Sequence, residues 1–208
     1  SPSITGNTIT SASGSIIAGM ALDIAVNSSA SVSFSNNTVS KLGSAVPGVS
    51  IDYNASIRIR SGFTGTYTSS GNRLTGDHTN AQIGSALNTY GVILATDAGT
   101  ATFTNDVFTE FPVGVENRGS DDDYDGVDGG INLTFTNCDF THNLLSGLNG
   151  GSFAADLTPN IVINNCFFKA NRLAHAAEGV LGATAFPDSA NDQYGDVTSG
   201  TISASANN

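Results

Sequence analysis

The chain has 208 residues, 39% of them hydrophobic, and carries seven Lys and Arg against eighteen Asp and Glu, for a formal net charge of -11. This length fits one domain with a substantial core, and the negative charge disfavours nucleic acid and anionic membrane surfaces as partners. No stretch approaches the roughly 20 apolar residues that a membrane span requires, so no membrane insertion is predicted.

A seven-residue phrase recurs along the chain. Its pattern is an apolar residue, any residue, Asn or Gly, then Asn, Asp or Cys, any residue, a second apolar residue, and Ser, Thr or Lys. In chain order the phrases are ITGNTIT from residue 4, FSNNTVS from 34, SSGNRLT from 69, FTNDVFT from 103, FTNCDFT from 135, INNCFFK from 163 and, weakly, VTSGTIS from 197. The interval between sixth positions ranges from 28 residues, Phe140 to Phe168, to 35 residues, Val39 to Leu74. Such a period is typical of a solenoid whose loops absorb the variation.

Between the phrases, a glycine precedes alternating apolar residues, as in GMALDIAV from 19, GVSIDY from 48 and GVILAT from 91. Alternation with period two predicts half-buried strands, and no convincing amphipathic helix is predicted. Asn and Gly tolerate the left-handed backbone that a tight corner between two strands requires. We therefore predict an all-β fold in which each repeat forms one coil.

The phrase NNT followed by an aliphatic residue, at 36–39, resembles right-handed parallel β-helix proteins, namely the pectin-lyase-like superfamily and related β-strand-repeat surface proteins. The resemblance covers the chain from Ile4 to about Ser203. It implies a single domain over residues 1–208, a right-handed parallel β-helix (solenoid) of about six to seven coils, with an acidic loop inserted at about 119–130. A β-sandwich with chance repetition is the alternative. The fold hosts many unrelated functions and indicates none by itself.

Stacking of the phrases predicts two columns of side chains. Inward apolar residues should form a core stack, and fourth-position residues should form a ladder of turn side chains that bond along the axis. The core stack comprises Phe34, Phe103, Phe108, Phe135, Phe140, Ile163 and Phe168. The turn ladder comprises Asn7, Asn37, Asn72 and Asp106.

Both cysteines of the chain, Cys138 and Cys166, take the fourth position of consecutive phrases. Stacked strands lie ~4.8 Å apart, which is inside the Cα separation that a disulfide permits. We expect either a disulfide that joins two coils in an oxidising compartment or a reduced pair buried as small apolar side chains.

An acidic segment, GSDDDYDGVDGG at 119–130, is the candidate metal site. Its opening matches a calcium loop, in which alternate carboxylates point inward and Gly126 permits the sharp turn. The twelfth position holds Asn132 instead of the bidentate Glu of such loops. Calcium is the one cofactor expected, and a solvated acidic loop is the alternative. The candidate ligands are Asp121, Asp123, Asp125 and Asp128.

Polysaccharide-cleaving β-helix proteins provide the enzymatic comparison. Asn137 and Asp139 read Asn-x-Asp, as in polygalacturonases, but the acidic pair comes before them and no Gly-His-Gly is present. Resemblance to pectate lyases implies calcium-binding aspartates with an arginine base, for which Arg118 is the nearest in sequence. We predict no enzyme, and a polysaccharide-binding or lyase-like β-helix is the alternative.

Thr-x-Thr around an inward apolar residue begins at residues 8, 66, 102 and 134. The threonines are predicted to point outward and to stack into hydroxyl rows. Such rows resemble the flat faces of ice-binding β-solenoids, while threonine is also an ordinary outward residue of a strand.

The repeat pattern runs from residue 4 to residue 203, with no recognisable capping segment at either end of it. Open strand edges template the addition of further strands. We therefore expect an extracellular or cell-surface structural subunit that binds copies of itself head to tail, in a filament, sheath or adhesive fibre. Polysaccharide is the alternative partner.

Overall fold

The computed structural model describes residues 1–10, 21–24, 28–40, 55–76, 90–96, 98–111, 113–117, 131–143, 146–149, 160–169, 180–181 and 201–205. These residues form nineteen strands, β1 to β19 in chain order, and no helix. In the described part of the chain, nothing has the length and apolar character of a membrane-crossing helix.

The strands form three sheets, which we name A, B and C. Sheet A contains, in spatial order, β1 (Ser3–Thr5), β4 (Ser31–Ser35), β7 (Thr66–Ser70), β10 (Thr100–Thr104), β13 (Asn132–Thr136), β16 (Asn160–Asn164) and β19 (Thr201–Ser205). Sheet B contains β2 (Thr8–Thr10), β5 (Thr38–Ser40), β8 (Arg73–Thr75), β11 (Val107–Thr109), β14 (Asp139–Thr141) and β17 (Phe167–Lys169). Sheet C contains β3 (Leu22–Ile24), β6 (Ala55–Ile59), β9 (Tyr90–Leu94), β12 (Val113–Asn117), β15 (Ser146–Asn149) and β18 (Val180–Leu181).

The chain visits sheets A, B and C in turn, and each strand pairs with the strand one coil later. Every pairing is parallel, as between β10 and β13, where Phe103 lies beside Phe135. Among the described residues, six coils therefore carry three strands each, and β19 begins a seventh layer. This arrangement confirms the predicted all-β parallel β-helix and excludes a sandwich of antiparallel sheets. Its right hand stays a prediction, in line with the general rule for parallel connections.

A two-residue corner joins sheet A to sheet B in each of the six coils, and its first residue has a left-handed backbone. The φ values are 53° at Asn36, 56° at Asn105, 53° at Asn137 and 49° at Asn165, and glycines take this place at Gly6 and Gly71. Asn and Gly adopt this conformation at lower cost than other residues. The third position of the phrase is therefore Asn or Gly because of backbone geometry.

The predicted register of the seventh phrase, VTSGTIS, is wrong. The phrase predicts Ile202 at the sixth position, in the column of Phe168, whereas β19 pairs with β16 and sets Ile202 beside Ile161. Ala204 then takes the first position, beside Ile163. The error arises because a short alternating stretch such as Thr-Ile-Ser fits a strand of either sheet.

Inward side chains of the three sheets fill the interior as continuous stacks. Phe103 and Phe135 stack with ring centroids 4.8 Å apart and an interplanar angle of 11°. Phe140 stacks on Phe108 at 5.0 Å and on Phe168 at 4.7 Å. Parallel in-register pairing places identical rings one strand spacing apart, so the aromatic residues pack face to face along the axis.

The first-position column is interrupted at Ser69, which lies between Phe34 and Phe103. Phe34, Phe135 and Ile163, three further members of this column, have no exposed surface. Tyr67 packs its ring edge against Phe103, with centroids 5.7 Å apart, beside the smaller serine.

Candidate functional site

Fourth-position side chains form a hydrogen-bonded ladder at the corner between sheets A and B. The Oδ1 of Asn37 accepts the backbone N–H of Asn7 at 2.9 Å and its amide Nδ2 at 3.0 Å. Asn72 accepts the same two groups of Asn37 at 2.9 and 3.1 Å. Asp106 accepts those of Asn72 at 2.7 and 3.0 Å. The ladder has a direction, because each acceptor oxygen faces the N–H groups of the preceding coil.

The asparagines of the ladder also satisfy backbone carbonyls. Asn37 Nδ2 donates to the carbonyl of Ile4 at 3.1 Å, and Asn72 Nδ2 donates to that of Phe34 at 2.8 Å. Both side chains are 1% exposed. One primary amide supplies an acceptor and two donors, so asparagine meets the buried backbone groups of two coils at once.

Asp106 takes the ladder position that Asn37 and Asn72 take in earlier coils, but its side chain lacks their amide donor. Its Oδ1 belongs to the ladder, but its Oδ2 is buried and has no hydrogen-bond partner among the described residues. Burial raises the pKa of Asp106 to about 6, against the opposing effect of the bonds from Asn72. Burial also raises the pKa of Tyr67, and the Asp106 carboxylate adds to that effect. The ladder therefore contains a carboxyl that is easier to protonate than an exposed one.

Cys138 and Cys166 continue the ladder in the fifth and sixth coils. They are 0% and 1% exposed, and the structure holds both as thiols. The backbone N–H of Cys138 donates to the Sγ of Cys166 at 3.4 Å. The hydrogen bond between the thiols, together with burial, raises the pKa of Cys138, and the same bond lowers the pKa of Cys166.

The candidate calcium ligands Asp121, Asp123, Asp125 and Asp128 lie outside the described residues, as does Arg118. The structure does describe the base of this loop. Ile131 donates its N–H to Asn117 Oδ1 at 3.0 Å, and Asn117 Nδ2 donates to the carbonyl of Ile131 at 3.1 Å. The acidic segment therefore leaves and rejoins the solenoid at one buried asparagine. Among the described residues, no group of three acidic, His or Cys side chains could hold a metal ion.

Sequence analysis missed two buried asparagines, Asn117 and Asn143. Asn143 accepts the N–H of Phe111 at 3.1 Å and donates to the carbonyl of Phe108 at 3.1 Å, so it makes the same two-way contact as the ladder residues. The signal available was an asparagine at or just past the end of a strand: Asn117 ends β12 in GVEN, and Asn143 is the second residue after β14 in THN.

The outer face of sheet A is uncharged in the strands β1, β4, β7, β10, β13 and β16. Every outward side chain there belongs to Ser, Thr or Asn except that of Val162, and all are exposed or half-buried. The threonines of the motifs at 66, 102 and 134 lie on this face in stacked rows, for example Thr68, Thr102 and Thr134. The motif at residue 8 lies on sheet B instead.

The first coil has apolar side chains that are only partly covered. Ile4, Ile9 and Leu22 are half-buried against the core. Their partners in the second coil have no exposed surface, and these are Phe34, Val39 and Ile57. The first coil therefore presents a face, made of Ile4, Ile9 and Leu22, that is less buried than the equivalent position in the next coil.

No protein-family model, curated protein or solved structure matches this chain. The function is therefore argued from the geometry of these sites and from composition.

Proposed function

We propose that this protein is an extracellular structural subunit that stacks coil on coil with copies of itself, giving a surface filament, sheath or adhesive fibre. The partial exposure of Ile4, Ile9 and Leu22 supports the proposal best, since a further coil on this face would bury them as the second coil buries its own core residues. Burial of apolar surface is the main favourable term in such association.

The ladder supports the same direction of growth. Asn7 Oδ1 has no donor among the described residues, whereas the Oδ1 atoms of Asn37 and Asn72 each accept a backbone N–H of the preceding coil. A copy stacked on the first coil would supply that donor. The contact is head to tail and does not close on itself, so it generates a fibre.

Sedimentation of the purified protein over a range of concentrations tests the proposal. We expect large assemblies from the natural sequence and single subunits from Ile9→Lys, because a charge would be buried in the contact. The matched control is Thr8→Lys, which alters the adjacent, exposed residue of β2 and should leave assembly intact. A natural sequence that stays monomeric at every concentration would contradict the proposal.

Calcium and polysaccharide remain predictions that depend on the acidic loop around Asp121 to Asp128. Negative-stain electron microscopy with and without a chelator separates the roles of the loop. Loss of fibres on chelation would assign the loop and its ion to the contact, and fibres that persist would leave the loop for a polysaccharide partner.

The outer face of sheet A favours a second candidate function, adsorption to ice. Its hydroxyls form an uncharged lattice with rows ~4.8 Å apart between coils and ~6.7 Å apart along each strand. The stacked aromatic core behind β10 and β13 holds this lattice. A rigid hydroxyl array can order the water molecules that lie on it, whereas a charged side chain would disrupt that order.

Inhibition of ice recrystallisation tests this second candidate. Thr134→Lys, at the centre of the face, should abolish inhibition. Thr141→Lys, a half-buried threonine on sheet B of the same coil, should retain it. Absence of inhibition by the natural sequence would remove the candidate.

A further inference from the structure

The corner of the fifth and sixth coils holds two thiols in contact, and the proposed function does not involve them. The flanking pairs fix their alignment: Phe135 lies beside Ile163 on one side of the corner, and Asp139 lies beside Phe167 on the other. The two cysteines are therefore stacked directly, ~4.8 Å apart at their backbones, within the range that a disulfide spans.

We infer that Cys138 and Cys166 form a two-thiol oxidation site in which Cys166 is the nucleophile and Cys138 the resolving thiol, closing a disulfide that joins two consecutive coils. The oxidant is a small peroxide, since Cys138 and Cys166 are 0% and 1% exposed and a larger oxidant could not reach them. This site is independent of whether the protein assembles.

Hydrogen bonding distinguishes the two sulfur atoms. The Sγ of Cys166 accepts the backbone N–H of Cys138 at 3.4 Å, which stabilises negative charge on Cys166. The hydrogen bond between the two thiols adds to this difference, because it disfavours a thiolate at Cys138 and favours one at Cys166. The thiolate is the reactive form of cysteine, so Cys166 reacts first.

The chemistry balances in two steps. Cys166 thiolate attacks a peroxide oxygen, the S–O bond forms as the O–O bond breaks, and the leaving hydroxide takes a proton to become water. Cys138 sulfur then attacks the sulfenic sulfur of Cys166, so the S–S bond forms and the S–O bond breaks. The departing hydroxide takes the proton of Cys138. Two thiols lose two hydrogen atoms, and one hydrogen peroxide becomes two waters.

Intact mass after treatment with hydrogen peroxide measures the outcome. We expect the natural sequence to lose two hydrogen atoms without gaining oxygen, and to melt at a higher temperature until a reductant is added. Because no Lys or Arg lies between Arg118 and Lys169, trypsin leaves both cysteines in one peptide. Cleavage at aspartate separates them and identifies the bridge. Two intact thiols in the oxidised, folded protein would overturn the site.

Single serine variants test the order of reaction, with circular dichroism to check folding. In Cys138→Ser, Cys166 should form a sulfenic acid that dimedone traps. In Cys166→Ser, Cys138 should remain a thiol. Should either variant fail to fold, dimedone present during limited oxidation of the natural sequence should label Cys166 alone. Equal labelling of both cysteines, or labelling of Cys138 alone, would overturn the assignment of Cys166 as nucleophile.

Discussion

Sheets A and C are both built from stacked parallel strands, but the side chains on their outer faces differ in burial. On sheet A the outward side chains are hydroxyls and amides that reach solvent. On sheet C the outward column of Arg58, Ile93 and Glu116 is 7%, 0% and 4% exposed. A second apolar cluster, which includes Ile93 and Tyr90, accompanies this column outside the main core.

The two sheets also differ in how the chain connects them. Two residues connect sheet A to sheet B in every coil, so the corner repeats with little variation. Each strand of sheet C lies between longer connections whose lengths differ from coil to coil, as between β8, which ends at Thr75, and β9, which begins at Tyr90. Sheet A is thus the regular side of the solenoid, and sheet C is the variable side. The alternation within a strand determines its inner face, but it does not determine whether its outer face is buried.

The largest expected effect on stability is the difference between a substitution on the inner face of sheet A and one on its outer face. Phe135→Asp should abolish folding, because a buried unpaired charge costs several kcal/mol, an amount comparable to the total stability of a domain. Thr134→Asp, one residue earlier on the outer face, should change the free energy of unfolding by about 0.5 kcal/mol or less. Chemical denaturation and proteolysis measure both. A soluble, protease-resistant Phe135→Asp protein would refute the register of β13.

A second pair compares the outer faces directly. Ile93→Ala on sheet C should lower the free energy of unfolding by about 2–5 kcal/mol, as for a core cavity. Val162→Ala on sheet A should cost about 1 kcal/mol or less, since Val162 is half-buried. Denaturant titration provides both values. Equal costs would mean that the two outer faces do not differ in packing.

A third prediction concerns Asp106 at the corner beside sheet A. Folding raises its pKa from 3.8 to about 6, so the contribution of this carboxyl to stability is greatest below pH ~4 and is lost as the pH rises through about 6. Asp106→Asn should restore the amide donor and stabilise the protein at pH 7 by up to about 3 kcal/mol. It should also flatten the pH dependence of the melting temperature.

The control for this experiment is Asp139→Asn, which neutralises an exposed carboxylate of the next coil. The groups that titrate around Asp106 are Tyr67 and Cys138, and both remain in the Asp106→Asn variant. A fall in stability at pH 7 on replacing Asp106 would show that the buried carboxyl is better satisfied than an amide would be.

The smallest effect tests the corner backbone. Asn137 has a φ of 53° and accepts a hydrogen bond from Asn165 Nδ2 at 2.7 Å. Asn137→Ala should cost about 1 kcal/mol, because alanine disfavours the left-handed conformation. Asn137→Gly should cost less, since glycine adopts it freely. The melting temperatures of the two variants decide the matter, and a less stable glycine variant would assign the role of Asn137 to its side-chain bond instead.

Sequence analysis could predict the repeat, the corner and the alignment of the two cysteines, because each depends on a local backbone conformation that recurs in every coil. It did not predict the burial of Ile93 and Glu116, because alternation within a strand does not indicate whether its outward side chains are buried. It missed Asn117 and Asn143 for a related reason, since their partners lie in other coils or across a loop. The predicted register of β19 was wrong because a short alternating sequence does not indicate which sheet its strand joins.

Cryo-electron microscopy of the concentrated protein tests the central claim of coil-on-coil stacking most directly. The account predicts filaments whose strands repeat every ~4.8 Å along the axis, continuously from one subunit to the next. Isolated short rods at the highest concentration would contradict it.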